Sequence, residues 1–155
     1  MIRMRLVAVL TALLLSSAVT AIAPPRPLPP PAKLRLRAEI AWTTVRVRRL
    51  LRRNDLSATL GRCRTDAAQT ATAPSRDEVV RVARAVRRTL GALPGDSRGL
   101  IASLVLIAVL ARRGVAASLV VGRPRNGYGA HAWVEVDGLP ALPAAKDKFA
   151  HLVAL

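Results

Sequence analysis

Near its C-terminal end the chain reads Ala130-His131-Ala132-Trp133-Val134-Glu135-Val136-Asp137-Gly138. Polar or aromatic residues alternate there with small or aliphatic ones, which is the period of a β-strand with two different faces. This period places His131, Trp133 and Glu135 on one face. Asp137-Gly138 is a strong signal for a two-residue hairpin turn, so a further short strand is expected over residues 139–142.

An apolar stretch precedes this strand. Leu100–Leu110 is apolar nearly all round, which predicts a helix that is buried on most sides and too short to cross a membrane. Asp96 or Ser97 can cap its start, and Gly114 can provide a left-handed stop. Residues 117–122 then predict a strand, so the order is a buried helix followed by a small sheet.

Another helix is predicted upstream by Ser75-Arg76-Asp77-Glu78, which has the form of a capping box. An amphipathic stripe follows, with arginines on the opposite side. Gly91 and the turn after it should end this helix. The apolar stripe consists of Val79, Val82, Ala83, Val86 and Leu90.

The N-terminal region is of a different character. Basic residues precede an uncharged run from Leu6 to Ala23, and prolines follow it. We interpret residues 1–23 as a signal-like or membrane-associating segment and residues 24–32 as an extended proline-rich linker. A cleaved secretion signal, a membrane anchor and a buried helix all stay open, and the preferred interpretation is a cytoplasmic protein held at the membrane by residues 6–23.

Residues 33–74 are predicted to form a basic helix followed by a polar loop. The helix is expected to end near Arg53, and Asn54 to Pro74 is the expected loop. The residues expected to share the apolar face of the helix are Leu34, Ala38, Ala41, Trp42, Val45 and Leu50. Residues 75–155 are interpreted as the folded core.

Composition limits the classes of partner and site. The net charge is +16 and the pI is about 11.9, which suits nucleic acid, an anionic membrane or an acidic peptide. Residues 45–53 lack the interleaved aromatics that stack on bases, so nucleic acid is not the expected partner. The single cysteine, Cys63, allows neither an intramolecular disulfide nor a cysteine-based zinc site.

The histidine on the C-terminal strand suggests a chemistry. An imidazole on a strand beside the start of a buried helix is the geometry of a Cys–His hydrolase. The helix N-terminus lowers the pKa of a thiol and offers N–H groups to an oxyanion, while the histidine takes and returns the proton. His131 is therefore the candidate base.

The chain resembles the transglutaminase-like B proteins of lasso-peptide biosynthesis, which have a microcin-processing-type C-terminal domain. Four runs carry the resemblance, in the same order and spacing: residues 99–106, 110–114, 119–122 and 130–138. It implies an α+β fold with a transglutaminase- or papain-like core, a buried helix packed on a small antiparallel sheet and a hydrophobic N-terminal helix. The implied role is that of a cysteine peptidase that removes the leader of a precursor peptide.

The resemblance also implies positions for the catalytic residues. His131 matches the base, but the nucleophilic cysteine would fall at Gly99, which has no side chain. The aspartate that orients the histidine would fall near Leu142 or Pro143, and Asp137 is a weak candidate substitute, with Asp147 nearby. No metal or cofactor is implied.

Three other residues are candidates for the nucleophile in place of Gly99. Ser97 is most simply a helix cap, although it and Trp133 are also candidate substrate-binding residues. Ser103 lies one turn into the helix and is expected to be buried. Cys63 is expected to be a free thiol in a loop, far from the site.

Two functions follow from the resemblance, and a third, a membrane-tethered basic protein that binds anionic lipid or nucleic acid, rests on charge alone. One is leader-peptide processing during lasso-peptide maturation, with the precursor leader, a small leader-binding protein and an ATP-dependent cyclase as partners. The other is a catalytically inactive homologue that binds the precursor peptide or partner proteins without cleavage. The residues alone leave open whether the chain is an enzyme.

Overall fold

The computed structural model describes residues 29–65, 74–91, 98–124, 130–142 and 149–155. Within these ranges the chain forms an α+β fold of four helices and a four-stranded antiparallel sheet. The α+β class is the expected one, and one helix and one strand are additional to those expected. The proposed N-terminal segment 1–23, together with Asp96, Ser97 and Asp147, lies outside the described residues. The elements are α1 (Pro30–Arg53), α2 (Leu56–Arg64), α3 (Arg76–Leu90), α4 (Arg98–Ala111), β1 (Ser118–Pro124), β2 (His131–Val136), β3 (Leu139–Pro140) and β4 (Phe149–Ala154).

Helix α1 begins earlier than expected. It starts at Pro30, inside the range assigned to the proline-rich linker, and Pro29 is its N-cap. Proline is tolerated at the first helical positions because their N–H groups have no partner within the helix and the fixed φ suits the first turn. The linker prediction was therefore wrong for its last three residues. Of the helices in the described ranges, none combines the length and apolar composition needed to span a bilayer.

The face of α1 that packs into the core is not the predicted one. Leu34, Trp42 and Val45 are 69%, 64% and 45% exposed. The buried face includes two threonines, whose hydroxyl groups have local partners. Thr44 donates to the carbonyl of Ile40 at 2.7 Å, and Thr43 accepts from Arg112 at 3.1 Å. The buried residues are Leu36, Ile40, Thr43, Thr44 and Val47.

A second helix occupies part of the expected polar loop. Helix α2 is capped by Asp55, whose carboxylate accepts from the backbone N–H of Ala58 at 2.7 Å. Cys63 is 2% exposed within it, so the thiol lies in the core rather than in a loop. The loop prediction failed because a short helix of small and polar residues is stabilised by its cap and by packing rather than by a strong apolar stripe.

Helix α3 confirms the capping prediction. The hydroxyl of Ser75 accepts from the backbone N–H of Glu78 at 3.3 Å, and the whole predicted apolar stripe is buried. This face packs on α4 and α1. The helix ends with Gly91 as its C-cap.

Helix α4 is the centre of the fold. It contacts the other three helices and both β1 and β2, and Gly114 follows it with a φ of 72°, as predicted. At its C-terminal end the guanidinium of Arg113 donates to both carboxylate oxygens of Glu39 on α1, at 2.9 and 2.7 Å. Its most deeply buried residues are Leu104, Val105, Ile107, Val109 and Leu110.

The sheet has the order β3-β2-β1-β4. The hairpin between β2 and β3 is the predicted one, with positive φ at both Asp137 (52°) and Gly138 (71°), as a type I′ turn requires. Strand β4 has no counterpart in the sequence-based expectation. It pairs with β1, on the side away from β2, so the central strand β1 joins two distant parts of the chain.

Candidate functional site

A cleft lies where the first turn of α4 meets the start of β2. Its volume is about 330 Å³ and its lining is mostly apolar. Helix α3 forms one wall, with Ala83, Val86 and Leu90, and carries Arg87 at the same cleft. A pocket of this size is in the range that accommodates a small ligand or part of a peptide.

Gly99 lies in this cleft, at the second residue of α4. The nearest atom to a Cβ placed on Gly99 would be the backbone oxygen of Ala132, at 4.0 Å. This is an ordinary van der Waals distance, so a Cβ at position 99 would fit beside β2 without a clash among the described residues. The position that the resemblance assigns to the nucleophile is therefore open on the side of β2.

His131 is the first residue of β2, is exposed and lines the same cleft. Its ring stacks on Trp133, with the ring centroids 6.2 Å apart and an interplanar angle of 24°. The indole N–H of Trp133 in turn donates to a carboxylate oxygen of Glu135 at 3.2 Å. These contacts confirm that the three side chains share one face, and they provide a support for the orientation of the imidazole.

The family comparison covers all of these elements. Residues 41–154 match the model of the transglutaminase-like superfamily. The chain belongs to this superfamily. Neither the comparison with curated proteins nor that with solved structures gives a match.

Ser103 has a structural role in this transglutaminase-like domain. It is 5% exposed, and its hydroxyl donates to the backbone oxygen of Ala132 at 3.2 Å. The hydroxyl therefore joins α4 to β2, one turn beyond Gly99. The expectation that Ser103 is buried is confirmed, whereas Ser97 lies outside the described residues.

The structure does not bring Asp137 to the imidazole. Asp137 occupies the turn at the far end of β2, and His131 is the first residue of that strand. At about 3.3 Å per residue, the six steps from His131 to Asp137 correspond to roughly 20 Å along the strand. The assignment of Asp137 as an orienting residue therefore has no geometric support, and its side chain is explained by the positive φ of the turn.

Cys63 does not supply the absent thiol. It is buried in α2 and is not part of the cleft lining. Among the described residues, no group of three or more His, Cys, Asp or Glu side chains is placed to hold a metal ion.

Sequence reasoning missed the contribution of α3 to the site. Its arginines were assigned to the solvent side, yet Arg87 lines the cleft together with the apolar residues of the helix. Ala141 and Leu142, after β3, were also missed as lining residues. The sequence pattern of α3 is the same for an apolar face that lines a cleft and for one that is fully buried. Which of the two occurs depends on how closely the neighbouring elements pack against the helix.

Proposed function

We propose that this chain takes part in the maturation of a ribosomally made peptide of the lasso type. As a cysteine-peptidase homologue it binds the leader of the precursor in the cleft between α3, α4 and β2, and it does not cleave the peptide by itself. The observation that carries this proposal is Gly99, which leaves the nucleophile position empty of a side chain while the surrounding cleft is retained. A small leader-binding protein and an ATP-dependent cyclase are its expected partners, at the cytoplasmic side of a membrane.

The lining of the cleft supports peptide binding. Its apolar wall on α3 suits an aliphatic side chain of an extended peptide, because burial of such a side chain contributes about 1.5–3 kcal/mol. Arg87 lines the same cleft, and its guanidinium suits an acidic residue of the bound peptide.

A second candidate function is leader cleavage by the chain itself. The supported imidazole favours it, since His131 stacks on Trp133 and Trp133 is hydrogen-bonded to Glu135. This function requires a nucleophile other than residue 99. Ser97 is the candidate nearest to Gly99 in sequence.

The test is mass spectrometry of a candidate precursor peptide incubated with the full chain and the leader-binding protein. The variants are His131→Ala, Gly99→Cys and the double variant. Gly61→Cys is the matched control, because a Cβ at Gly61 has nothing within 4 Å and Gly61 is not part of the cleft lining. In Gly99→Cys, His131 would take the thiol proton and the thiolate would attack the scissile carbonyl. The C–N bond would break as His131 gives the proton to the leaving amine, and water would then hydrolyse the thioester.

We expect no cleavage by the wild type, cleavage by Gly99→Cys, and none by the double variant or by Gly61→Cys. Leader binding, measured by fluorescence anisotropy, should survive in the wild type and be lost in Gly99→Leu but not in Gly61→Leu. Wild-type cleavage that disappears in His131→Ala would instead establish the peptidase function. Absence of both binding and cleavage would reject both functions.

A further inference from the structure

Helix α1 has a second apolar side, which faces outward. Leu34, Trp42 and Val45 are all exposed, and at 100° per residue they fall within an arc of about 80° on the helix. The exposed Ala38 lies on the same arc and the exposed Ala41 lies about 20° beyond it, so the five residues span about 100°. We call this set of five residues the outer stripe, and its exposed large side chains are the kind of apolar surface that marks an interaction site.

The outer stripe is surrounded by positive charge. The only acidic residue of α1 is Glu39, and it is paired with Arg113. A helix with an apolar stripe, a tryptophan and flanking arginines is typical of one that lies in the interface of an anionic membrane. The exposed arginines of the helix are Arg35, Arg37, Arg48, Arg49, Arg52 and Arg53.

A groove at the C-terminal half of the stripe combines the two properties. Its volume is about 310 Å³, and Trp42 and Val45 lie beside Arg46, Arg49 and Arg53 in its lining. Arg62 on α2 completes it. Clustered guanidinium groups bind phosphate oxygens through pairs of hydrogen bonds, and the adjacent apolar side chains suit the region just below a phospholipid headgroup.

The sequence before α1 favours a membrane over a soluble acidic partner. The uncharged run Leu6–Ala23 ends six residues before the helix begins at Pro30. Six residues span at most about 20 Å in any conformation, so the start of α1 would lie within that distance of a bilayer that the run enters. A single aromatic residue in the groove does not provide the stacked platform that single-stranded nucleic acid uses.

We propose that the outer stripe of α1 lies on an anionic phospholipid surface. The large side chains of the stripe occupy the interface between headgroups and acyl chains, and Arg46, Arg49, Arg53 and Arg62 pair with lipid phosphates. This surface is separate from the cleft at Gly99, so membrane docking and peptide binding can be tested independently.

The experiment uses the fluorescence of Trp42 in the full chain. Trp133, the other tryptophan, is 6% exposed and hydrogen-bonded, so changes on docking come from Trp42. Vesicles contain brominated phosphatidylcholine either alone or mixed with phosphatidylglycerol. We expect Trp42 emission to shift to the blue and to be quenched on the anionic vesicles only, and added salt should reverse both effects.

The variants separate charge from apolar contact. Each arginine near an anionic surface raises the affinity for that surface about fivefold. The triple variant Arg46→Gln/Arg49→Gln/Arg53→Gln should therefore bind the anionic vesicles about a hundredfold more weakly, as measured by Trp42 fluorescence. Arg84→Gln/Arg88→Gln/Arg123→Gln removes the same charge elsewhere and should change it by less than about threefold. Leu34→Asn should also reduce quenching, and because Leu34 is exposed this change should leave the thermal melting curve unaltered.

Three results would overturn the proposal. Emission from Trp42 that is already blue in buffer and shielded from acrylamide would mean that the N-terminal segment or a second copy covers the stripe, and sedimentation equilibrium would tell these apart. Vesicle binding without any change at Trp42 would mean that residues 6–23 anchor the chain alone. A blue shift with soluble polyglutamate but not with vesicles would identify an acidic polypeptide as the occupant.

Discussion

The two ends of helix α4 have different tasks. At the C-terminal end, Ile107, Val109 and Leu110 are almost wholly buried, and Arg113 connects the helix to Glu39 on α1. At the N-terminal end, Gly99 is only half-buried and faces a cleft. Stability is therefore concentrated at one end of the helix, and the opposite end can change its chemistry at little cost to the fold.

The largest effect is expected from Ile107→Ala, which leaves a cavity in the hydrophobic core. Loss of transfer free energy and the cavity together should lower the free energy of unfolding by about 3 kcal/mol. The matched change Ile101→Ala, near the cleft end and only partly buried, should cost about 1 kcal/mol. Urea denaturation measures both, and equal losses would contradict the difference between the two ends.

A smaller effect is expected when the ion pair at the C-terminal end is removed. Arg113→Gln should lower the free energy of unfolding by about 1 kcal/mol, because the pair has two hydrogen bonds but each side chain is about a quarter exposed. A double-mutant cycle with Glu39→Gln isolates the pair. The control is Arg37→Gln, at an exposed position on α1, the helix that carries Glu39. Its free energy of unfolding should stay within about 0.5 kcal/mol of the wild-type value.

The smallest effect, and one of opposite sign, is expected at the cleft. Gly99→Ala should raise the free energy of unfolding by about 0.5 kcal/mol, because alanine restricts the unfolded chain and favours the helix, and its Cβ meets only the oxygen of Ala132 at 4.0 Å. Thermal unfolding followed by circular dichroism gives the sign. A loss of more than about 1 kcal/mol would mean that glycine is required by the fold, and the cleft end would then also be part of the stabilising core.

Local signals predicted much of this fold. The N-cap at Ser75, the hairpin at Asp137-Gly138 and the left-handed stop at Gly114 each depend on a few neighbouring residues, and each is found where it was expected. The buried faces of α3 and α4 were also predictable. Helix α3 has a single apolar face, and α4 is apolar nearly all round, so neither pattern offers an alternative buried face.

The inner face of α1 was not predictable in the same way. The stripe with Leu34 and Trp42 contains no hydroxyl or charged side chain, whereas the inner face includes two threonines. The inner face is nevertheless the one that packs into the core. Its two hydroxyl groups have partners there, because Thr43 accepts from Arg112 and Thr44 donates to the carbonyl of Ile40. Similarly, β4 depends on pairing with β1 across a large separation in sequence, which no local pattern records.

For the site, the sequence by itself determined the residue types, namely a histidine on a strand and a glycine where the family resemblance places a cysteine. Only the tertiary structure decided that both positions line one cleft, and that α3 forms a wall of that cleft with Arg87 beside it. The physical reason is that side-chain chemistry and helix or strand period are local properties. Which faces meet is set by the packing of elements distant in sequence, where several alternatives of similar local quality compete.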